Sequence, residues 1–453
     1  MKIKKLLFPI IALLSIASCS PSSVHFIDSS KPISSSSSGS SSSEHFDAYK
    51  PFQLNNPQKA FNKGNTVTNA AEAAYVSSLN AFSKDLYKNI FDGDNKIYST
   101  ISIANCFSML LEGAKENSRK ELETLLHYDD SFNHLNEIKN TLLRNAIDDA
   151  EEETYLDISQ SFWADQSFKN TMKQAYIDAL TNYYYAEAFS GDLKSDEMHA
   201  ALADYINDKT HNFLNVKKED FHDYAGVLWL LNTVYLKSQW FSHFEESFNK
   251  EDMFANLNGN ENKVTYMNQT TESYYQAADN YAIASLSLKH SLRFNILLPN
   301  KGTNYADVLK SDEALDGLHN FPSYIKGNSA ITPLVKFQVP QFKIQKSIDL
   351  SDLFKTKMGV KDIFDPEAAN LRDIAELLPD ENLYVSKAKH EAGIEVKNEG
   401  LEAAAYTIIA VDKATSVDPK PVDPIDFIVD HPFAYSITNI DGIPLFTGVV
   451  TTL

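Results

Sequence analysis

The order of two hydrophobic patterns along the chain constrains its fold more than any other feature. In the first half, apolar residues recur every three or four positions, which is typical of helices that pack on a core. In the second half, β-branched and aromatic residues form strand-like runs. The helix-like segments are 72–91, 118–129 and 169–189, and the strand-like runs are 231–240, 284–300, 334–350, 384–396 and 433–453. Helices followed by strands predict an α+β fold with large, mostly antiparallel sheets.

The N-terminus has the pattern of a secretion signal. Lysines at positions 2, 4 and 5 precede an apolar run over residues 6–14, and small residues then lead to Cys19. The run is shorter than the roughly 20 apolar residues that a membrane-spanning helix needs, so we predict a signal peptide over residues 1–18. The stretch Ile16-Ala17-Ser18-Cys19 resembles the lipobox of bacterial lipoproteins. It implies that Cys19 is lipidated and anchors the protein outside the cytoplasm, at the bacterial cell surface or a membrane; an ordinary secretory signal is the alternative.

A low-complexity tract follows Cys19. Residues 34–43 are all serine except Gly39, and such a composition has nothing to bury and behaves as flexible coil. No second change of composition interrupts the rest of the chain. We therefore expect residues 19–70 to be a lipidated, flexible tether and residues 71–453 to form one folded domain.

Charge and motifs exclude several functional classes. The 453 residues include 41 Lys and Arg against 61 Asp and Glu, a formal net charge of −20, which repels phosphate backbones and predicts no nucleic-acid partner. The sequence has no glycine-rich phosphate loop, Cys-x-x-Cys pair, His-Glu-x-x-His or G-x-S-x-G nucleophile elbow. Its 12 histidines are scattered, and Cys106 lies in an apolar stretch typical of a small buried hydrophobe. We expect no enzyme activity, no catalytic residue, no cofactor and no metal.

One segment near the C-terminus combines two structural characters. It reads NEGLEAAAYTIIAV and begins at Asn398. The three consecutive alanines, 403–405, favour a helix, whereas Tyr406 and the β-branched residues after it favour a strand. Such a segment is suited to two different environments.

The motifs around this segment resemble those of the serpins, the serine protease inhibitors. NEGLEAAAYT resembles the serpin hinge, whose usual form is Glu-Glu-Gly-Thr-Glu-Ala-Ala-Ala-Ala-Thr. LNTVYLKSQW resembles the family signature Asn-x-x-Tyr/Phe-Phe-Lys-Gly-x-Trp through Asn232, Tyr235, Lys237 and Trp240. Similar strings follow in the family's order: VTYMNQ, VPQFKI, KMGVKDIF, VDHPFAYSI and PLFTGVV. The resemblance covers essentially all of residues 71–453 and implies the serpin fold with an exposed reactive-centre loop.

This resemblance accounts for the two characters of the segment. In serpins the exposed loop is bait for a protease, and the cleaved loop inserts as a strand into the central sheet. The implied hinge residues are Glu399, Gly400, Leu401, Glu402, Ala403, Ala404, Ala405, Tyr406 and Thr407. Alternate residues of a strand face opposite sides, so the odd-numbered residues from Leu401 onward would face inward and the even-numbered ones outward.

Several positions depart from the usual serpin pattern. Leu401 stands where a small or hydroxylic residue is typical, and its bulk would slow insertion. Tyr406 replaces an alanine on the outward side, where it would be tolerated. Asn398 replaces a glutamate that usually makes a salt bridge, which predicts a weaker contact at the top of the sheet.

The resemblance also implies a polar cluster where the sheet opens. Its residues are Ser99, Ser102, Asn232 and His390. Buried polar groups need partners, so the cluster would hold the strands together reversibly. Thr100 replaces the usual proline and Gly393 replaces a larger apolar residue, and each would loosen this region.

The family's spacing locates the bond that a protease would cut. Counting roughly fifteen residues from Gly400 gives Ala414-Thr415, and an alanine before the bond suits an elastase-like or subtilisin-like protease. A shift of one residue puts Lys413 before the bond, which suits a trypsin-like protease. The loop is longer than usual, but the excess lies in the proline-rich VDPKPVDP after the cut, so the count is unaffected.

These observations predict a monomeric, surface-tethered bacterial serpin that inhibits a serine protease by a covalent suicide mechanism. Its partners would be that protease, or a cysteine protease, and a membrane through the N-terminal lipid. The alternative is a serpin-fold binding or scaffolding protein that is cleaved without trapping a protease. Leu401 is the sequence feature that favours this alternative.

Overall fold

The computed structural model describes most of the chain after residue 68 and two segments before it. The described residues are 6–17, 48–55, 57, 69–128, 147–149, 154–223, 226–327, 332–401, 423–439 and 441–453. The α-helices of this part are α1 (Asn69–Ile90), α2 (Thr100–Leu111), α3 (Glu116–Leu125), α4 (Gln174–Tyr184), α5 (Asp196–Lys209), α6 (Tyr305–Val308), α7 (Asp312–Gly327) and α8 (Leu350–Lys357). The predicted helical segments overlap α1 and α3 and contain α4.

The largest sheet of the described residues has eight strands. They are β1 (Leu6–Ala17), β3 (Ile147–Asp149), β4 (Thr154–Asp165), β5 (Glu187–Gly191), β6 (Leu228–Gln239), β13 (Phe342–Asp349), β14 (Glu381–Val396) and β15 (Gly400–Leu401). The order across the sheet is β13, β14, then β1 and β15, then β6, β4, and finally β3 and β5 on the far side of β4. β14 and β6 run parallel with room for one strand between them, and we call this gap the slot.

Two smaller sheets complete the β-structure. Their strands are β2 (Lys96–Tyr98), β7 (Lys250–Ala255), β8 (Glu261–Glu272), β9 (Tyr275–Ala277), β10 (Tyr281–Ser287), β11 (Arg293–Pro299), β12 (Leu334–Pro340), β16 (Ile425–Ile428), β17 (Phe433–Thr438) and β18 (Pro444–Val450). The six-stranded sheet has the order β2, β18, β17, β11, β10, β9, and the four-stranded sheet has the order β16, β12, β8, β7. The predicted α+β class with mostly antiparallel sheets is confirmed.

The two faces of the large sheet pack against different helices. Along β6, Leu230 and Val234 belong to the main core on the side of α2, whereas Trp229 and Leu231 belong to a second cluster beneath α5. Every residue of α2 is buried, because this helix lies between the large sheet and β18 of the six-stranded sheet. Cys106 on α2 is buried as predicted, and its burial raises the pKa of the thiol, which makes it a poor nucleophile.

The residues predicted as the core of a signal peptide form β1 in the slot. β1 is parallel to both neighbours and pairs with residues 381–391 of β14 and residues 228–235 of β6. A near-continuous apolar run suits a parallel strand buried on both faces as well as it suits a signal sequence. Removal of residues 1–18 as a signal peptide stays a prediction, and it would vacate the slot.

The structure corrects the predicted tether at residues 48–55, which pack on the body. The ring of Tyr49 is 5% exposed and meets Tyr205 edge-on, with ring centroids 5.3 Å apart. The backbone N–H of Leu54 donates to the Ala188 carbonyl at 2.7 Å, so the segment extends the sheet beyond β5. The serine-rich composition before residue 44 therefore does not describe the whole range. Cys19 lies outside the described residues.

Within the part of the chain that the structure describes, no helix is long and apolar enough to cross a membrane.

Candidate functional site

The predicted hinge enters the slot as β15, at the end that lies beyond the last residue of β1. We call this end the top of the slot. Gly400 pairs with Gln239 of β6, and Leu401 pairs with Ser238 of β6 and with Val396 of β14. These pairs are antiparallel, so β15 runs in the opposite direction to β1. The first two loop residues are therefore already paired with both walls of the slot.

A close approach of β6 explains the glycine at position 400. A Cβ atom there would lie 2.1 Å from the Ser238 carbonyl oxygen and 2.7 Å from Gln239 Cα, so no side chain fits. Gly400 and Lys397 also exchange backbone hydrogen bonds of 3.0 and 3.2 Å across the turn that leaves β14. Glycine lets this turn pass directly against the neighbouring strand.

Leu401 points into the protein, where 2% of its surface is exposed and it joins the main core. If the strand continued, its alternation would turn Ala403, Ala405 and Thr407 the same way. The sequence predicts that the bulk of Leu401 slows insertion, yet the structure accommodates this bulk at the first position. The remaining hinge and bait residues lie outside the described residues; they are Glu402 to Thr407, Lys413, Ala414 and Thr415.

Asn398 joins three parts of the chain at the top of the slot. Its amide nitrogen donates to the Phe244 carbonyl and to Asn249 Oδ1, both at 2.9 Å. Its Oδ1 accepts from Asn249 Nδ2 at 2.9 Å and from Gln341 Nε2 at 2.5 Å. Asn398 is 4% exposed, and these four bonds satisfy its amide completely. The contact at Asn398 is therefore fully hydrogen-bonded, and its weakness relative to the usual glutamate salt bridge stays a prediction.

The signature residues hold the approach to the hinge and line one wall of the slot. They are Asn232, Tyr235 and Lys237 on β6 and Trp240 just after it. Trp240 is fully buried, and its indole N–H donates to the Lys397 carbonyl at 2.8 Å. Its backbone N–H donates to the Glu399 carbonyl at 3.1 Å. Trp240 thus fixes the backbone on both sides of Asn398.

The slot divides the predicted sheet-opening cluster. On the β14 side, the Ser99 N–H donates to His390 Nε2 at 3.0 Å, and Ser99 Oγ caps α2 by accepting from the Ser102 N–H at 3.3 Å. Asn232 lies on the opposite wall, because Leu14 of β1 stands beside both His390 and Asn232. Two strand spacings of about 5 Å separate those walls, which is too far for a hydrogen bond.

The divided cluster leaves buried polar atoms unpaired. Among the described residues, no hydrogen-bond partner is found for either amide atom of Asn232, for Ser102 Oγ or for His390 Nδ1. Burial lowers the pKa of His390 to about 3, so the ring is neutral at pH 7. An unpaired buried group costs about 1–3 kcal/mol. That the cluster holds the strands together when the slot is empty stays a prediction, and in this structure β1 keeps its two halves apart.

Two substitutions that predict a looser sheet are compensated by remote residues. Thr100 is buried, and its hydroxyl donates to Ser83 Oγ at 2.8 Å. At Gly393, a Cβ atom would lie 2.9 Å from Cε1 of Phe213, a buried residue in the loop after α5. The Phe213 ring occupies the space of the missing side chain. The structure thus shows no empty space at Gly393 and a hydrogen bond at Thr100, and the predicted loosening of the sheet stays a prediction.

The comparisons with known proteins agree on the body of the chain. A family model described as Serpin (serine protease inhibitor) matches residues 77–453. Human Serpin B4 is 25% identical over 82% of this chain and 95% of its own length, and mouse neuroserpin is 28% identical over 79% and 86%. The native crystal structure of the thermophilic serpin tengpin superposes with a TM-score of 0.72 at 24% identity, covering 86% of this chain and 96% of tengpin.

Proposed function

Because this chain belongs to the serpin family, we propose that it is a protease inhibitor that traps its target by inserting the cleaved loop into the slot. The observation that carries the proposal is β15. Gly400 and Leu401 are already paired with both walls, in the antiparallel direction that the rest of the loop would continue. The chain contributes a strand and its acceptor, and the protease contributes the nucleophile.

The chemistry begins as ordinary proteolysis. The protease nucleophile attacks the carbonyl carbon of the residue before the cut, the peptide bond breaks, and the amine of the next residue leaves with the proton it receives from the protease. The protease then remains joined to the new loop end as an acyl-enzyme. We assign the bond to Ala414-Thr415, with Lys413-Ala414 as the alternative. An elastase-like or subtilisin-like serine protease is the proposed target.

Insertion supplies the driving force. Residues 402–411 would add roughly ten strand residues, and at about 1 kcal/mol net per hydrogen bond this gives on the order of 10 kcal/mol. That gain is comparable with the whole stability of an ordinary domain. It is enough to drive a rearrangement that moves the acylated protease together with the inserting loop, and trapping requires that this insertion be faster than hydrolysis of the acyl bond.

The slot has to be vacant for this reaction, and the N-terminal sequence supplies a route. Cleavage before Cys19 would remove β1, and lipidation of Cys19 would then anchor the mature protein at a bacterial membrane or cell surface. The lipobox-like stretch and the lysine-led apolar run support this processing. The proposal predicts an N-terminus at Cys19 in protein isolated from cells, which mass spectrometry of the intact chain measures.

Reaction with proteases tests the inhibitory function. The chain beginning at Cys19 is mixed with elastase-like, subtilisin-like and trypsin-like proteases, and the products are run on denaturing gels while the released peptide is weighed. A denaturation-resistant complex and a peptide beginning at Thr415 are expected; a peptide beginning at Ala414 would move the cut to Lys413.

A pair of neighbouring loop variants provides the matched control. Because Leu401 faces inward, Thr407→Arg places a charge on the buried side of the inserted strand, whereas Tyr406→Arg places it on the outer side. Thr407→Arg should be cleaved without forming a complex, and Tyr406→Arg should still trap the protease. Equal trapping by both variants would contradict strand insertion.

A second candidate function is a serpin-fold binding protein that is cleaved without trapping anything. The presence of β1 in the slot favours it, because an occupied slot leaves no room for the loop. Clean cleavage without a complex, for the chain lacking residues 1–18 and for every protease class tested, would support this candidate and reject the inhibitor.

A further inference from the structure

Helix α5 and the loop that follows it bring together three potential metal ligands away from the slot. Asp196 opens the helix, His199 lies one turn further along, and His222 follows a short 3-10 turn at Lys218–Phe221. One ligand atom from each residue lies within 4.8 Å of the other two. In the sequence these histidines read as scattered, because 23 positions separate them and only the fold returns the loop to the helix.

His199 has the hydrogen-bonding pattern of a metal-binding histidine. Its Nε2 lies 3.1 Å from the Leu193 carbonyl, and a carbonyl only accepts, so Nε2 carries the proton and Nδ1 carries the lone pair. His199 is 4% exposed, and its Nδ1 has no hydrogen-bond partner among the described residues. Histidines that bind metals almost always donate their other N–H to a carbonyl or carboxylate in this way.

The surroundings of His199 keep its ring in place and in the neutral form. The ring stacks near Trp229 of β6, with centroids 6.0 Å apart. Burial lowers the pKa of His199, which favours the neutral ring that a metal requires. An unpartnered nitrogen inside a protein is costly, and a bound cation would supply the missing partner.

Asp196 and His222 complete the group from the solvent side. Asp196 Oδ1 lies 3.7 Å from His222 Nε2, and the rings of His199 and His222 have centroids 5.3 Å apart. The other carboxylate oxygen, Oδ2, lies 2.7 Å from Lys218 Nζ, and this ion pair lowers the pKa of Asp196. Lys218 therefore pairs with the Asp196 carboxylate, which a bound metal cation would otherwise use.

We propose that Asp196, His199 and His222 bind a divalent transition-metal ion of the zinc type, with water in the fourth position. Zinc binds imidazole nitrogen and carboxylate oxygen at about 2.0–2.2 Å in tetrahedral geometry, which sets ligand atoms about 3.3 Å apart. The ligand atoms now lie within 4.8 Å of one another, and they reach that spacing when the exposed side chains of Asp196 and His222 move closer to His199. The site fastens the first turn of α5 to the loop that leads into β6, and it does not depend on the inhibitory function.

Titration of the metal-free full chain with Zn²⁺ tests the site directly. Isothermal titration calorimetry on protein stripped with a chelator, without an affinity tag, should show one site. His222→Ala should weaken binding at least about tenfold, and His243→Ala, a half-buried histidine outside the group, should leave it unchanged. His222 is exposed, so its removal does not threaten folding. No binding, or equal binding by the His222 and His243 variants, would overturn the proposal.

Two further measurements separate a coordinating role from a structural one. Lys218→Gln removes the competing cation and should tighten Zn²⁺ binding; unchanged or weaker binding by this variant would contradict Asp196 as a ligand. Co²⁺ in place of Zn²⁺ should give the intense visible absorption of a tetrahedral site, and His199→Asn should abolish it. A weak octahedral spectrum that is insensitive to His199 would also reject the site.

Discussion

A single neutral amide connects the two sides of the slot at its top. Asn398 bonds to Phe244 and Asn249, which follow β6, and to Gln341, which precedes β13, so it joins both sides of the gap. A charged pair at this place would depend on pH and salt, whereas the amide contacts do not. The contacts at Asn398 should therefore respond little to changes in pH or salt concentration.

Replacing Asn398 should weaken the protein measurably. Asn398→Ala removes four hydrogen bonds and leaves Asn249 and Gln341 with fewer partners, so we expect the free energy of unfolding to fall by about 1–3 kcal/mol. Thermal unfolding followed by circular dichroism measures the change. Asn117→Ala removes an exposed amide that donates to Asp362 at 2.7 Å and should have almost no effect. Equal shifts for both variants would show that the contacts at Asn398 are unimportant.

His390 makes stability depend on pH in a defined window. The pKa of His390 is about 3 in the folded protein, against about 6.5 when unfolded. Between these values the unfolded chain binds a proton that the folded chain does not. The free energy of unfolding should therefore fall by about 1.4 kcal/mol for each pH unit below 6.5, and full stability is present above 6.5.

The variant His390→Gln isolates this contribution, because it keeps an acceptor for the Ser99 N–H and cannot take a proton. His319, whose pKa burial lowers to about 4, is retained in both proteins and cancels in the comparison. Denaturant unfolding at pH 7 and pH 5 should show about 2 kcal/mol less acid sensitivity in the variant. Identical pH profiles would mean that His390 is protonated or solvated in the folded state.

For single residues, the sequence identifies the important positions more reliably than it identifies the contacts that they make. Gly400 follows from the hinge motif, and the close approach of β6 gives its reason. The contacts of Asn398, Thr100 and Gly393 were not predictable, because partners such as Phe213 lie far away in sequence. A motif shows that a usual side chain is missing, but it does not show what fills the vacated space.

The loop after α5 and strand β14 fit together as a pair of elements. Gly393→Ala should lower stability, because its Cβ would press on Phe213 Cε1 at 2.9 Å and on the Ile344 carbonyl at 3.3 Å. Phe213→Ala makes room but loses a buried ring. We expect the double variant to be more stable than the sum of the two single effects, by about 1 kcal/mol in free energies of unfolding.

Phe221, another buried phenylalanine of the same loop, provides the control for this cycle. It does not appear among the nearest atoms to a Cβ at position 393. Gly393→Ala combined with Phe221→Ala should therefore be additive. Additivity in both double variants would mean that the loop and β14 are not coupled at Gly393.

In the proposed mechanism, β1 and the reactive-centre loop compete for the slot between β14 and β6. We expect the full chain to be cleaved without trapping a protease and the chain beginning at Cys19 to trap it, as measured by complex formation on denaturing gels. Leu14→Pro in the full chain removes one backbone N–H of β1, which lies between β14 and β6, and so weakens the pairing of β1 in the slot. This variant should therefore regain part of the trapping. Equal trapping by the full and shortened chains would show that β1 leaves the slot in solution.

Two strands, β4 and β1, show where a pattern of apolar residues is not enough to assign an element. β4 escapes a hydrophobic pattern because three consecutive buried residues, Ser159, Gln160 and Ser161, are polar. β1 carries an apolar run that a signal peptide and a buried parallel strand share. A run of apolar residues indicates that a segment is buried, but it does not indicate whether the segment is buried inside the protein or in another environment.

For the molecule as a whole, loop cleavage should stabilise the protein if the strand inserts. The chain beginning at Cys19, cleaved in its loop, should melt at a clearly higher temperature than the intact chain, because roughly ten strand residues become paired. Thr407→Arg, cleaved at the same bond, should show no such rise. Differential scanning calorimetry measures both, and an unchanged melting temperature for the cleaved parent would exclude insertion.

The fold class and the order of its motifs were predictable because the evidence is spread over the whole chain. Helical periodicity, strand runs and several family strings all point to the same architecture, and the family model independently spans residues 77–453. The ligand group around His199 was not predictable, because its parts meet only when the loop returns to α5. Long-range juxtaposition is what a single sequence leaves undetermined.

The segment at residues 48–55 covers one edge of the large sheet against pairing with another molecule of the same protein. A sheet built to admit one more strand is prone to accept it from a neighbouring molecule, and an uncovered edge strand offers a second place for such exchange. The β5 edge is covered: Leu54 donates to the Ala188 carbonyl, Asn55 Oδ1 accepts from the Ala188 N–H at 2.6 Å, and Gln53 bridges to Phe189. Pairing with a strand from a neighbouring molecule is thereby blocked along the β5 edge of the large sheet.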